Sequence, residues 1–192
     1  GDVDGDGRLD VLVGNFGSAN ELLLQQGDGS FVALAGFPGG SGRTMSVALG
    51  DVDGDGRLDV LVGNHNSANE LLLQQSDGSF AALASFPGGN AETDVVVLGD
   101  VNGDGRLDVV VTNSGEHRPN QLLLQQSDGS FVAAAGFPGG TTNDPRISTT
   151  TDPRSVALGD VDGDGRLDVL VVGGYRNDHL GVGTYQAANE LL

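Results

Sequence analysis

Four stretches of this chain place aspartates at a spacing that suits a hard cation. The stretch at 50–60 reads GDVDGDGRLDV, and it recurs from Gly1, from Gly99 (as GDVNGDGRLDV) and from Gly159. Counted from the first aspartate, positions 1, 3, 5 and 9 carry side-chain oxygens. Position 6 is glycine, where the chain must turn sharply, and position 7 is an arginine whose backbone carbonyl offers another oxygen. The four sets are Asp2, Asp4, Asp6, Arg8 and Asp10; Asp51, Asp53, Asp55, Arg57 and Asp59; Asp100, Asn102, Asp104, Arg106 and Asp108; and Asp160, Asp162, Asp164, Arg166 and Asp168. Alternating oxygens around a glycine turn match the flexible cages that Ca²⁺ takes. Carboxylates this close repel one another unless a cation lies among them. About four calcium sites are therefore expected.

These loops are not EF-hands. An EF-hand needs a bidentate Glu at position 12 and flanking helices, whereas position 12 here is Val13, Val62, Val111 or Val171. Each loop runs on into LDVLV or LDVVV, a short β-branched run that reads as a buried strand. A strand-like SVALGDV precedes the second and fourth loops. Each of these loops is expected to close a β-hairpin.

The charge of the chain comes from the loops. Its 192 residues carry 27 acidic and 9 basic side chains, a net charge of −18, and fifteen of the aspartates lie in the four loops, so that without them the net charge would be only −3. The acidity needs no basic partner, and no basic patch exists to meet nucleic acid. There is no Cys, Lys or Trp, which removes disulfides and thiol chemistry. No apolar run approaches the roughly 20 residues of a membrane span. Modules with weak calcium sites, with Kd of roughly 10⁻⁴–10⁻³ M, work in extracellular calcium. An extracellular or cell-surface location is expected.

Internal repetition sets the architecture. One repeat domain over 1–192 divides into units 1–49, 50–98, 99–158 and 159–192. Each full unit offers four strand-like runs: the run after the loop, then NELLLQQ or NQLLLQQ, then GSFVALAGF or its variants, and a last run leading into the next loop. Asp-Gly pairs at Asp28, Asp77 and Asp128 separate the second and third runs and predict tight hairpins with φ > 0 at both central residues. Short antiparallel strands repeated every ~40–50 residues indicate the blades of a β-propeller. Apolar residues on both faces of LDVLV and LLL suit a blade sandwiched between neighbours. Phe31, Phe80 and Phe131 are expected in the core between units.

The combination of DxDGDGRLD with NELLLQQ and DGSF resembles the FG-GAP/VCBS repeat of integrin-α-like propellers, over essentially the whole chain. The resemblance implies an all-β propeller of about four four-stranded blades, with Ca²⁺ in the aspartate loops and extracellular recognition or adhesion as the role. Two departures stand out. Rings of this family often have about seven blades. Here the first unit lacks the inner SVAL strand and the last ends within NELL. Unpaired edges need cover, so a small closed ring, a fragment of a longer chain and self-assembly into a ring or fibre all remain open.

Differences between the units gather at one end. His65, His117 and His179, Tyr175 and Tyr185, and the five arginines outside the loops all fall in second-to-third-strand or unit-to-unit connections. Arg and Tyr are enriched at binding hot spots, and recognition is usually carried by loops on a rigid scaffold. A ligand surface is expected at Tyr175, Arg176, Asp178, His179 and Tyr185. The Thr/Pro-rich segment 141–155 reads as an exposed loop. An enzyme needs a constellation of acid, base or nucleophile, and none is spaced as a motif here. The leading expectation is a non-enzymatic calcium-binding module that meets itself, an extracellular protein or a glycan. A lectin-like propeller, or the propeller part of a secreted hydrolase or lyase, is the alternative.

Overall fold

The computed structural model of the protein describes residues 1–89, 92–114, 119–135, 137 and 151–175. All regular structure among these residues is β, in thirteen strands. In the first unit β1 (Val11–Val13), β2 (Glu21–Gln25) and β3 (Phe31–Ala33) form an antiparallel meander. The second adds a long first strand, so that β4 (Arg43–Gly50), β5 (Asp59–His65), β6 (Glu70–Gln74) and β7 (Phe80–Ala82) pair in succession. The third repeats this with β8 (Glu92–Gly99), β9 (Asp108–Ser114), β10 (Gln121–Gln125) and β11 (Phe131–Ala133). In the fourth, β12 (Thr151–Gly159) pairs with β13 (Asp168–Tyr175). The first strands lie side by side, with β8 against both β4 and β12. A single residue pair, His65 with Glu92, joins the second and third meanders into one sheet.

Strand alternation explains why the second strand of each unit is apolar throughout. Val60 and Val62 turn toward the first unit and pack near Leu12, Phe37 and Leu49. Leu61, between them, turns toward the third unit and clusters with Val96, Val109 and Val111. Val110 then faces the fourth unit, with Val169 and Val171. Side chains alternate across a strand, so a sheet covered on both sides must be apolar at odd and even positions alike. At roughly 1.5–3 kcal/mol for each fully buried aliphatic side chain, this stacking is the main apolar contribution to the fold. Close approach also needs glycine. A Cβ at Gly50, where β4 ends, would lie 2.9 Å from both Leu98 and Leu107 of the next unit.

Three expectations change. The run GSFVALAGF contributes only three residues to the sheet. Leu34 N–H still bonds to Leu22 O at 2.7 Å, but the chain then curls, with Phe37 N–H on Leu34 O and Gly36 at φ +76°. The Asp-Gly hairpins have positive φ only at glycine: Gly29 lies at +83° and Asp28 does not. Gly29 N–H bonds to Gln26 O and Gln26 N–H to Ser30 O, a three-residue loop with a glycine bulge. Asp28 instead takes the Ser30 N–H and O–H on one carboxylate oxygen at 2.9 and 2.6 Å. Finally, Phe131 is buried and meets Phe86 edge-on at 5.4 Å, and Phe80 meets Phe37 likewise at 5.3 Å. Phe31 is 45% exposed and makes no such ring contact among the described residues.

A buried polar relay crosses the unit boundaries at the end away from the aspartate loops. Asn20 Nδ2 donates to Thr44 Oγ1, and the Thr44 hydroxyl donates to Asn64 Oδ1. Asn64 N–H bonds to Asn69 Oδ1. Asn69 Nδ2 then reaches Thr93 Oγ1, and Thr93 reaches Asn113 Oδ1, both at 3.0 Å. Each threonine precedes a bulge in its strand, and the corresponding register position of β12 is Pro153, opposite Gly173. The hydroxyl and amide types needed for the relay are therefore replaced at the boundary with the fourth unit. Thr93→Val keeps the shape but strands two buried polar groups. It is expected to lower unfolding free energy by about 1–3 kcal/mol in urea titrations, with Thr93→Ser close to wild type.

Candidate metal centre

Each aspartate loop is wound by its own backbone. The position-1 carboxylate accepts the N–H of the position-6 glycine in all four copies, from Gly7, Gly56, Gly105 and Gly165, at 2.8–3.0 Å. The position-5 carboxylate accepts the arginine N–H, at 2.9 Å for Asp6 and Asp55. Winding this tight requires two left-handed residues, and glycines at positions 4 and 6 supply them: Gly54 lies at φ +76° and Gly56 at +88°.

The windings gather carboxylates. Asp2, Asp4 and Asp6 offer oxygens within 4.8 Å of one another, as do Asp51, Asp53 and Asp59, and Asp160, Asp162 and Asp168. In the second loop Asp51 Oδ1 is buried with no hydrogen-bond partner in the protein. A buried carboxylate oxygen without a donor is costly, and a divalent cation shared with Asp53 and Asp59 would remove that cost. The donor set is all hard oxygen, which fits Ca²⁺ better than softer transition metals. The third loop has Asn102 in place of a carboxylate, and its Nδ2 donates to Asp104 Oδ2 at 2.9 Å.

Position 9 has a second task that spacing alone does not reveal. Asp59 is fully buried. Its Oδ2 accepts the Val52 N–H within the loop, and its Oδ1 accepts the Gln74 N–H at the end of β6, both at 2.8 Å. Asp108 does the same for Val101 and Gln125, at 3.0 and 2.9 Å. Burial raises both carboxyls above the usual carboxylate pKa, against the opposing pull of those N–H groups. Position 7 also acts through its side chain. Arg57 Nε donates to Gln74 O at 3.1 Å while its guanidinium pairs with Asp55, and Arg8 and Arg106 repeat this with Gln25 and Gln125. The glutamine closing the LLLQ run is thus held at both main-chain atoms. Its recurrence at 25, 74 and 125 was the one sequence sign of this role.

Of the residues expected at a ligand surface, Tyr175 ends β13 in register with Thr151. Arg176, Asp178, His179 and Tyr185, and also His117, lie outside the described residues. His65 ends β5, so nothing among the described residues gathers the histidines. Near it, His65 Nδ1, Ser67 Oγ and Glu70 Oε2 are all buried without a hydrogen-bond partner in the protein. Burial raises the Glu70 carboxyl.

Fold and site together define a class: an all-β repeat protein whose repeats are each opened by an aspartate loop of hard oxygen donors. The model of the FG-GAP-like repeat matches residues 2–62, 51–111 and 100–171, and the chain belongs to that family. No curated protein matches it in sequence. Among solved structures it is similar in fold to an Agrocybe aegerita lectin described as recognising non-reducing terminal N-acetylglucosamine. That likeness has a TM-score of 0.51 at 16% identity and covers 92% of this chain. This chain spans 51% of the lectin chain.

The raised carboxyls dictate a pH dependence. Between the ordinary carboxylate pKa, about 3.9, and the raised native values, the metal-free folded protein binds more protons than the unfolded chain, so its stability falls as pH rises. Asp28, Asp77 and Asp128, lowered by their serine hydrogen bonds, act only in a lower window, where their stabilisation is lost as pH falls. In calcium-free buffer the urea midpoint is expected to be higher near pH 4.5 than near pH 7. In millimolar Ca²⁺ the order is expected to reverse, because protons then compete with the cation.

Proposed function

We propose that the protein is a calcium-stabilised, non-catalytic recognition module of the β-propeller type, working outside the cell. The observation that carries the reading is the buried, unpartnered Asp51 oxygen inside a three-carboxylate cluster, in a loop that the chain repeats four times. Ca²⁺ would be held by Asp51, Asp53 and Asp59 and their counterparts in the other loops, supplying charge compensation and folding energy. Extracellular calcium suits open loops of this kind. No helix of the described residues is long and apolar enough to cross a membrane.

Recognition belongs at the opposite end, where β5 finishes. His65 Nδ1, Ser67 Oγ and Glu70 Oε2 stand buried and unpartnered beside the connection that carries Gly40 and Gly42. A polyhydroxylated ligand supplies the donors and acceptors such atoms lack, which makes a glycan the first ligand class. The fold likeness to a lectin supports the same choice. Tyr175, Arg176, Asp178, His179 and Tyr185 are the sequence's own candidates for ligand contact, and all but Tyr175 lie outside the described residues. A second copy of the chain is the alternative partner, because β1 is paired on one side only among the described residues, and open edges invite pairing.

Calorimetry of the chelated protein should show about four calcium sites with Kd of roughly 10⁻⁴–10⁻³ M or tighter. A glycan panel in calcium should then yield a ligand whose affinity falls about tenfold in Ser67→Ala or Glu70→Gln, the equivalent of roughly 1.4 kcal/mol. No calcium uptake at 10 mM would overturn the metal reading. Calcium-dependent particle growth in light scattering, without glycan binding, would move the assignment to self-assembly.

A further inference from the structure

The same glutamine that each unit holds by its main chain reaches with its side chain into the loop of the unit before. Gln74 Nε2 donates to Val3 O at 3.0 Å, and Gln125 Nε2 donates to Val52 O at 2.9 Å. Both glutamines are 5% exposed, and both Oε1 atoms are buried with no partner in the protein. The bond to the neighbouring loop is therefore the contact that orients each amide. Val3 and Val52 sit between the position-1 and position-3 aspartates of their loops, so each is held by the winding that places those carboxylates.

These hydrogen bonds form a continuous series. Val3 O is held by Gln74, and the Gln74 N–H by Asp59 Oδ1. Asp59 Oδ2 holds the Val52 N–H, Val52 O is held by Gln125, and the Gln125 N–H by Asp108 Oδ1. Three cation loops are thus joined through the unit boundaries by alternating main-chain and side-chain links.

We propose that Gln74 and Gln125 are positioning residues that couple neighbouring cation loops, so that filling one raises the affinity of the loops on either side. This rests on the proposal that the loops bind Ca²⁺. A cation that fixes Asp59 also fixes Gln74, and an ordered Gln74 holds Val3 in the first loop before its own cation arrives. By linkage the effect runs equally in both directions.

The test is a calcium titration of the full 192-residue chain, monitored site by site through the NMR amide resonances of Gly7, Gly56 and Gly105. Disabling the second loop with Asp51→Asn and Asp53→Asn together should weaken binding at both Gly7 and Gly105 by roughly tenfold, within the usual span of site-to-site coupling. Gln74→Met, similar in size but without the donor, should weaken Gly7 by a similar factor and leave the coupling of Gly56 to Gly105 intact. Gln75→Met is the control, because Gln75 Nε2 bonds back within its own unit, to Leu73 O of β6, and should move nothing.

Unchanged affinities at Gly7 and Gly105 when the second loop is disabled would overturn the coupling. So would a Gln74→Met variant that shifts all three loops alike, since that is the mark of general support. If Gln74→Met fails to fold, the Asp51/Asp53 arm and Gln125→Met, read at Gly56 against Gly105, decide the matter. Wild-type glycine amides that ignore calcium would sink the metal reading itself.

Discussion

The fold depends on one buried carboxylate per unit. Asp59 lies in the protein interior with both oxygens on backbone N–H groups, one from its own loop and one from the end of the neighbouring strand β6. That double acceptance closes the loop onto β6 and offsets much of the cost of burying a charge. It also brings the Asp59 carboxylate within 4.8 Å of oxygens of Asp51 and Asp53. The residue that clamps the loop to the sheet is part of the carboxylate cluster proposed to hold a cation, so loop geometry and sheet geometry cannot vary independently.

Between units the protein uses three kinds of contact in three places. At the loop end, glutamine amides reach across to the preceding loop. In the middle, alternate residues of the second strands pack in opposite directions, and Gly50 gives way to Leu98 and Leu107. At the far end the Asn–Thr–Asn relay runs from unit to unit. Buried polar networks of this kind specify geometry when every member is satisfied. The relay has a register position for the fourth unit, and Pro153 and Gly173 occupy it, residue types with no side-chain hydroxyl or amide to offer.

Much of this was legible. The loop aspartates, the β-branched runs and the Asp-Gly pairs recur from unit to unit, and repetition turns a weak local pattern into an architecture. Contacts made at long range were not legible. Arg57 read as a donor of backbone carbonyl, yet its side chain spans to Gln74. The QQ after each LLL run read as the end of a strand, yet its first glutamine reaches a residue 71 positions away. The Asp-Gly pairs named a tight hairpin correctly. The turn it adopts has positive φ at glycine alone, and the following serine donates both its N–H and its O–H to the aspartate side chain.

The sequence by itself determined the family, the β class, the four aspartate loops and the apolar strands covered on both faces. These arise from residue type at short, repeated spacing, where local geometry leaves few alternatives. Only the tertiary structure decided which aspartate is buried, which oxygen lacks a donor and which unit's glutamine holds which unit's loop. The buried aspartate meets a strand end 15 positions on, and each glutamine meets a loop 71 or 73 positions back. No local pattern records them, because the same side chain satisfies its hydrogen bonds differently according to what the neighbouring unit brings within reach.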